Sequence, residues 1–236
     1  MLVNAAKTQF LCIASNLFSS CSSFIQAGDK RIDSQNDMVL LGFAFGRRPT
    51  MDAHVNLIKK KYRARSWLIR HLKNAGVPTG DLIKTYSTVV RSVIEYAAAV
   101  FHSMLTATQT EDLEGLQRWT LKILYGWDTS YEKAFELTGL PLLEERRTQI
   151  LERFTEKTAA NPRFAAWFPE HEPYPYQIRR PKKINEELAK TNRLRNSPIF
   201  MMRRILNSWV SVRVNVFQSW PAVTRRRCSR MISTMW

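Results

Sequence analysis

The densest run of chemically capable side chains is Lys59-Lys60-Lys61, continued by Arg63 and Arg65, with Arg70 beyond it and Arg47-Arg48 upstream. Clustered ammonium and guanidinium groups with almost no acid among them are the chemistry of phosphate binding, in which point charges and planar donor forks meet anionic oxygens. Nothing comparable suggests catalysis. The histidines, His54, His71, His102 and His171, are scattered. The paired acids Glu111-Asp112, Glu144-Glu145 and Glu186-Glu187 fall at helix starts or on polar faces, where the helix dipole accounts for them. There is no glycine-rich phosphate loop, no His/Glu metal motif and no nucleophile elbow. Cys12, Cys21 and Cys228 fit neither a disulfide framework nor a zinc spacing, which favours a reducing, intracellular compartment, cytoplasmic or nuclear. The expectation is a binding chain with no catalytic residue, metal ligand or cofactor of its own.

The charge distribution agrees. The 236 residues carry a net +16 with a pI near 10.2. Residues 47–80 hold nine basic groups against one acid, and residues 171–236 hold fourteen against three. Residues 81–170 lie between them with thirteen acids against ten bases. Two basic blocks flanking a nearly neutral middle are the footprint of a polyanion binder; two solvated Lys/Arg faces are the plainer alternative. No apolar run approaches a membrane span, so no membrane partner is expected. The opening Met1 to Ser23 has its apolar part interrupted by Gln9, Ser15 and Asn16 and is taken as structure rather than a leader.

The elements that position these groups are mostly helical. Around the stretch Asp81 to Trp127, Leu82, Ile83, Tyr86, Val89, Val90, Val93, Ile94, Ala97, Ala98 and Phe101 recur at three- and four-residue steps, with Lys84, Ser87, Arg91 and Glu95 opposite. A second helix, Thr108 to Tyr125, has Leu113, Leu116, Trp119, Thr120, Ile123 and Leu124 inward, and two capping boxes compete for its start, Thr106 with Gln109 and Thr108 with Glu111. A helix from Met51 to Asn74, capped by Thr50, carries the basic run and turns Val55, Ile58, Tyr62, Arg65, Leu68, Ile69 and Leu72 inward. Gly76 and Pro78 end it.

Upstream, Lys7 to Ala14 and Met38 to Phe45 are expected as buried strands, the latter with Gly42 at a close approach or bulge, and Phe24 to Ile32 as a hairpin. Downstream come short helices at Tyr131 to Thr138, Leu142 to about Ala159, Ile184 to Arg195 and Pro198 to Trp209. Glu144, Glu145, Arg146 and Arg147 are expected as solvated neighbours. The fold class is mainly α with a small β remnant: short antiparallel strands (about 7–45), then a three-helix bundle and further helices.

With the residues laid out, the chain resembles the C-terminal part of a non-LTR (LINE-type, jockey-like) retrotransposon reverse transcriptase, from about Asn4 to Asn207. Asn4-Ala5-Ala6-Lys7-Thr8 resembles the Asn-x-x-Lys-Thr that follows the catalytic hairpin of the palm, and Leu40-Leu41-Gly42 resembles the primer grip. Tyr86, Arg91-Ser92-Val93-Ile94-Glu95-Tyr96, Leu116-Gln117-Arg118 and Leu140-Pro141-Leu142-Leu143 with Arg146-Arg147 look like thumb and post-thumb helices. Thr191-x-Arg193, Asn196-Ser197-Pro198 and Leu206-Asn207 resemble the closing segment. No Asp-Asp pair occurs in the sequence, so the metal-holding carboxylates of the family are expected to be missing, with the fingers, the upstream palm and an endonuclease domain.

The resemblance implies a palm remnant (1–46), a thumb-like helical bundle (47–127), a post-thumb helical region (128–207) and an unassigned basic tail (208–236). It implies a truncated reverse transcriptase, related to an RNA-directed DNA polymerase that uses Mg²⁺ but not an enzyme as this chain. Lys7 would be the palm remnant's active-site lysine. Arg47, Arg48, Lys59, Lys60, Lys61, Arg63, Arg65 and Arg70 would hold a template–primer-like RNA or DNA duplex without reading sequence. With about six phosphate contacts, affinity would fall roughly a thousandfold between 50 and 200 mM salt. A basic helical protein-interaction module and an untranslated degenerate gene model are the alternatives.

Overall fold

The computed structural model describes residues 4, 7–13, 23–28, 30–172, 174 and 182–218, with side chains as far as Trp209. The expectations for the opening segment up to Val3, for Ala5, Ala6 and Ala14, and for residues 219–236 lie outside these. The described residues are mainly helical with two short antiparallel strand pairs. They fall into two compact units that divide between Ile150 and Leu151.

The first unit begins with Lys7–Ile13, which is not a buried strand: one bridge, Phe10 to Ser34, ties it down, and Ile13 stays exposed. Lys7 is exposed on this irregular segment. Cys12 is disulfide-bonded, a departure from the reduced thiols expected. The hairpin around Gly28 forms as expected from β1 (Phe24–Ala27) and β2 (Lys30–Asp33).

Met38–Phe45, expected as one strand, is a second hairpin, β3 (Asp37–Leu40) and β4 (Phe43–Gly46). Its two-residue turn places Leu41 at φ 49° and Gly42 at φ 79°. Two successive positive φ values match the twist of the flanking strands, so the chain reverses where a straight strand was expected. No sheet joins the two pairs.

Helix α1 (Asp52–Asn74) starts one residue later than expected, because Thr50 Oγ1 donates to Asp52 Oδ2 at 2.8 Å instead of capping. It buries His54, Val55, Ile58, Tyr62, Ser66 and Ile69. Ser66 sits where Arg65 was expected; Arg65 is exposed, because Ser66 continues the four-residue row from Tyr62. Gly76, at φ 80°, closes the helix as expected.

The return segment is broken, not one helix. It runs as α2 (Thr79–Thr85), a π turn (Tyr86–Val90), α3 (Ser92–Glu95) and α4 (Ala98–Phe101). Ala97 in a left-handed conformation, φ 57°, stops the helical path after Glu95. The extra residue of the π turn rotates Arg91 inward, so this expected outer residue is buried at 3% exposure.

Helix α5 (Ala107–Tyr125) uses the Thr106–Gln109 capping box of the two on offer. Tyr62 Oη donates to the Leu116 carbonyl at 3.0 Å, and Lys73 Nζ to the Ile123 carbonyl at 2.6 Å, so α1 and α5 run parallel. The broken segment returns between them to complete an up-down-up bundle. Phe43, Val55, Ile58, Tyr62, Ile69, Leu82, Tyr86, Ile94, Phe101, Leu113 and Leu121 make its core. Helix α6 (Tyr131–Thr138), capped by Ser130 and closed by Gly139, adds Ala134.

Helix α7 (Leu143–Ala159) starts in the first unit and ends in the second. At its start Arg146 and Arg147 are not solvated neighbours. Arg147 is fully buried, and Arg146 makes two bonds to Glu95 at 3.1 and 3.3 Å. The helix lies with this edge inward, so residues that look polar in sequence are taken into the core.

In the second unit the chain turns through a 3₁₀ segment, Pro162–Trp167, capped by Asn161. Ile184 to Lys190 is not helical; only α8 (Asn192–Arg195) forms, after the Thr191 cap. The Asn207 side chain takes the intervening loop instead, accepting from the Lys183 and Ile184 amides and donating to the Ile184 carbonyl. Those bonds satisfy the loop backbone, which removes the need for a helix. Helix α9 (Pro198–Gln218) is longer than expected. Among the described residues, no helix is long and apolar enough to cross a membrane.

Candidate nucleic-acid interface

The basic residues of α1 do not share one face. Helical geometry places Lys61 and Arg65 on the flank toward the return segment, Lys59, Arg63 and Arg70 on the flank toward α5, and Lys60 outward between them. Lys59 Nζ is ion-paired to Asp112 at 2.7 Å. Arg70 lies over the Trp119 ring at 5.5 Å, a cation–π contact. Arg65 Nη1 donates to the Val89 carbonyl at 2.9 Å. These three fasten α1 to its neighbours. The side chains of Arg47, Arg48, Lys60, Lys61 and Arg63 are exposed and make no ion pair or hydrogen bond among the described residues.

The grip-like turn is held against this helix from the return segment. Tyr96 Oη donates to the Leu41 carbonyl at 2.5 Å. A Cβ on Gly42 would come within 3.1 Å of the Tyr96 ring, so the approach needs glycine. On the inner side, Phe43 stacks on the His54 ring with centroids 4.0 Å apart, and the Ala44 amide donates to His54 Nδ1 at 3.3 Å. The outer side is bare: Leu40 is half exposed and Leu41 is 85% exposed.

Between turn and helix lies a cavity of about 340 Å³. Leu57, Ile58, Val93 and Tyr96 give it an apolar wall, while His54, Lys61, Arg65 and Ser92 supply its polar groups. Because His54 Nδ1 accepts, the neutral ring carries its hydrogen on Nε2. That nitrogen is buried and has no hydrogen-bond partner among the described residues. Burial, helped by the nearby Lys61 charge, pushes the ring pKa down to about 4, so it stays neutral at pH 7. His54 was not foreseen as a site residue, although it stands four residues before Ile58 and eight before Tyr62 on the inner row.

The other motif residues hold the fold together. Arg91 Nη2 donates to the Pro141 carbonyl at 3.1 Å, and its Nε lies 3.1 Å from Glu95 Oε1 without hydrogen-bond alignment. Glu95 thereby joins Arg91 to Arg146. Tyr86 Oη donates to Gln117 Oε1 at 2.9 Å, and desolvation raises the Tyr86 pKa well above the usual tyrosine value. Glu114 accepts from Tyr131 Oη at 2.7 Å and from the Leu143 amide at 3.1 Å, which caps α7.

Among the described residues no three His, Cys, Asp or Glu side chains come together. A larger cavity of about 590 Å³ in the second unit, walled by Phe168, Ile184, Leu206 and Trp209, has Lys183 and Glu170 both at its edge and no net preference for anions. No family model, curated protein or solved structure matches the chain.

Proposed function

We propose that this chain binds the sugar–phosphate backbone of an RNA or DNA duplex, as the grip-and-thumb part of a protein resembling non-LTR retrotransposon reverse transcriptases, and that it does not polymerise by itself. The observation that carries the reading is the set Arg47, Arg48, Lys60, Lys61 and Arg63, cations without an ion pair or hydrogen bond among the described residues, beside a turn presenting Leu40 and Leu41 to solvent. An exposed leucine at positive φ costs conformational energy and buries nothing, which favours a role in contact with something else. Cations already committed to Asp112, Val89 and Trp119 serve the bundle first.

Phosphate contacts carry no sequence information, so binding is sequence-tolerant and driven by counterion release. With about five such contacts, duplex affinity falls several hundredfold between 50 and 200 mM salt. Fluorescence anisotropy with a labelled duplex measures this. The Lys60→Glu/Arg63→Glu variant is expected to bind at least tenfold more weakly at 50 mM salt. Salt-independent binding, or a variant that binds like the parent, would overturn the reading. Primer extension in Mg²⁺ by the purified chain would overturn its second half.

The exposed Leu40 and Leu41 also favour a protein-interaction module as a second reading. It gains if Leu41→Asp changes a protein association while the charge-reversed variant binds duplex as before.

A further inference from the structure

Trp67 lies on the outward row of α1, 60% exposed and outside the bundle core. Its ring is tilted against the His71 ring one turn later, with centroids 3.7 Å apart. That contact steadies the indole along the helix and leaves more than half of the residue in water. A single exposed aromatic is ordinary, but the setting of this one is not. Helical geometry puts Trp67 within about 40° of Lys60, Arg63 and His71 around the axis. At about 1.5 Å of rise per residue, Arg63 stands about 6 Å before it and Lys60 about 10.5 Å. The outward row thus changes character at mid-helix, from cations without an ion pair or hydrogen bond among the described residues to two exposed rings.

Elsewhere in this unit cations cover aromatic rings: Arg70 lies over Trp119, Arg118 over Tyr131 and Lys122 over Trp127. Among the described residues none lies over Trp67, although Arg63 and Arg70 stand one turn to either side. The only carboxylate of α1, Asp52 in its first turn, accepts from Thr50 and Gln109. A row of this charge repels a second copy of itself. It suits a partner that is anionic and also presents flat, apolar faces. Inside a duplex each base face is covered by its neighbours, so an unpaired base is what can stack on an exposed ring. A strand advancing about 3.4 Å per base spans the distance from Arg63 to Trp67 in roughly two nucleotides.

We propose that Trp67, braced by His71, is a stacking platform for an unpaired base, so that α1 takes a junction where a duplex continues as single strand. Backbone phosphates sit on Lys60 and Arg63, and the first unpaired bases sit on the indole. The inference rests on the backbone-binding reading for the class of partner and adds the form of the nucleic acid. Because every base has a flat face, the platform reads no sequence.

The test is fluorescence anisotropy at 50 mM salt with three labelled DNA probes: a blunt duplex, the same duplex with a four-nucleotide single-stranded overhang, and that overhang made abasic. The parent is expected to bind the overhang probe at least fivefold more tightly than the blunt one, with no gain from the abasic overhang. Trp67→Ala should lose the gain, keep its affinity for blunt duplex and keep its melting temperature. Trp67→Phe should retain most of the gain and Trp67→Leu should not, since stacking needs a flat ring and not merely an apolar one.

No gain from the overhang, an equal gain from the abasic one, or a Trp67→Ala variant that keeps the gain would each sink the proposal. So would a Trp67-dependent dimer in light scattering, which would give the ring to a second copy. Lys60→Glu/Arg63→Glu separates the two readings, because it should weaken every probe, whereas Trp67→Ala weakens one. Blunt-duplex binding without an overhang gain ends the stacking proposal alone. Single-strand binding that depends on Trp67, with no binding of blunt duplex, ends the duplex reading alone.

Discussion

Two groups, one buried and one half-buried, set the energetics at the residue scale. The His54 ring has a folded pKa near 4, below its usual 6.5, because burial disfavours its charged form. The unfolded chain therefore binds the proton more readily between these values, so stability is full above pH 6.5 and is lost as pH falls toward 4. The size is at most about 3 kcal/mol. Urea unfolding of the parent and of His54→Phe across pH 4–7.5 checks it, and the parent should lose more stability on acidification. His102, whose pKa burial and the nearby Arg147 also lower, contributes in the same direction in both proteins. Glu95 is the second group. Its removal in Glu95→Ala leaves Arg91 buried with one carbonyl partner. The expected cost is about 2–4 kcal/mol, reduced from the figure for a wholly buried pair because Glu95 keeps some solvent. Thermal and urea denaturation read it directly. Such residues were only half legible. Arg91, Glu95, Pro141 and Arg146 stood out through their resemblance to a known family, whereas their contacts with one another required the folded chain.

At the scale of elements, caps and breakers were readable because they act locally. The Thr106–Gln109 box and Gly76 and Gly139 mark boundaries where the sequence puts them. The errors came where a neighbour in space decided. The β3–β4 turn reverses at a leucine, a residue that gives no turn signal, and it does so under the hydrogen bond from Tyr96 to the Leu41 carbonyl. Asn-Gly is the preferred pair for such a turn. Leu41→Asn is expected to raise stability by about 0.5–1 kcal/mol and at the same time to weaken whatever contact the exposed leucine makes. A melting temperature that falls would show that Leu41 supports the fold itself. The break at Ala97 was likewise hidden, since its apolar spacing continues the stripe of Val93 and Ile94 while its backbone is left-handed.

Over the whole molecule, each unit has its own fastening. The first closes around the parallel pair α1 and α5 with the broken segment between them. The second depends on Asn207, whose amide bonds to Lys183, Ile184 and Glu186. Asn207→Ala is expected to destabilise the second unit by about 2–3 kcal/mol, because it strands two backbone amides. Hydrogen exchange should show faster opening at residues 182–186 with α1 and α5 unchanged. By itself the sequence determined the helical class, several helix ends, the inner rows of α1 and α5 and the excess of positive charge. All of these follow from residue type and short-range period. Only the tertiary structure decided which cations remain free. Lys59, Arg65 and Arg70 look the same as Lys60, Lys61 and Arg63 in one dimension, and differ because Asp112, Val89 and Trp119 lie beside the first set. It also decided that His54 meets a cavity, since that depends on a hairpin tip and a return segment more than fifty residues apart in the chain, Leu41 and Tyr96, folding against one helix flank.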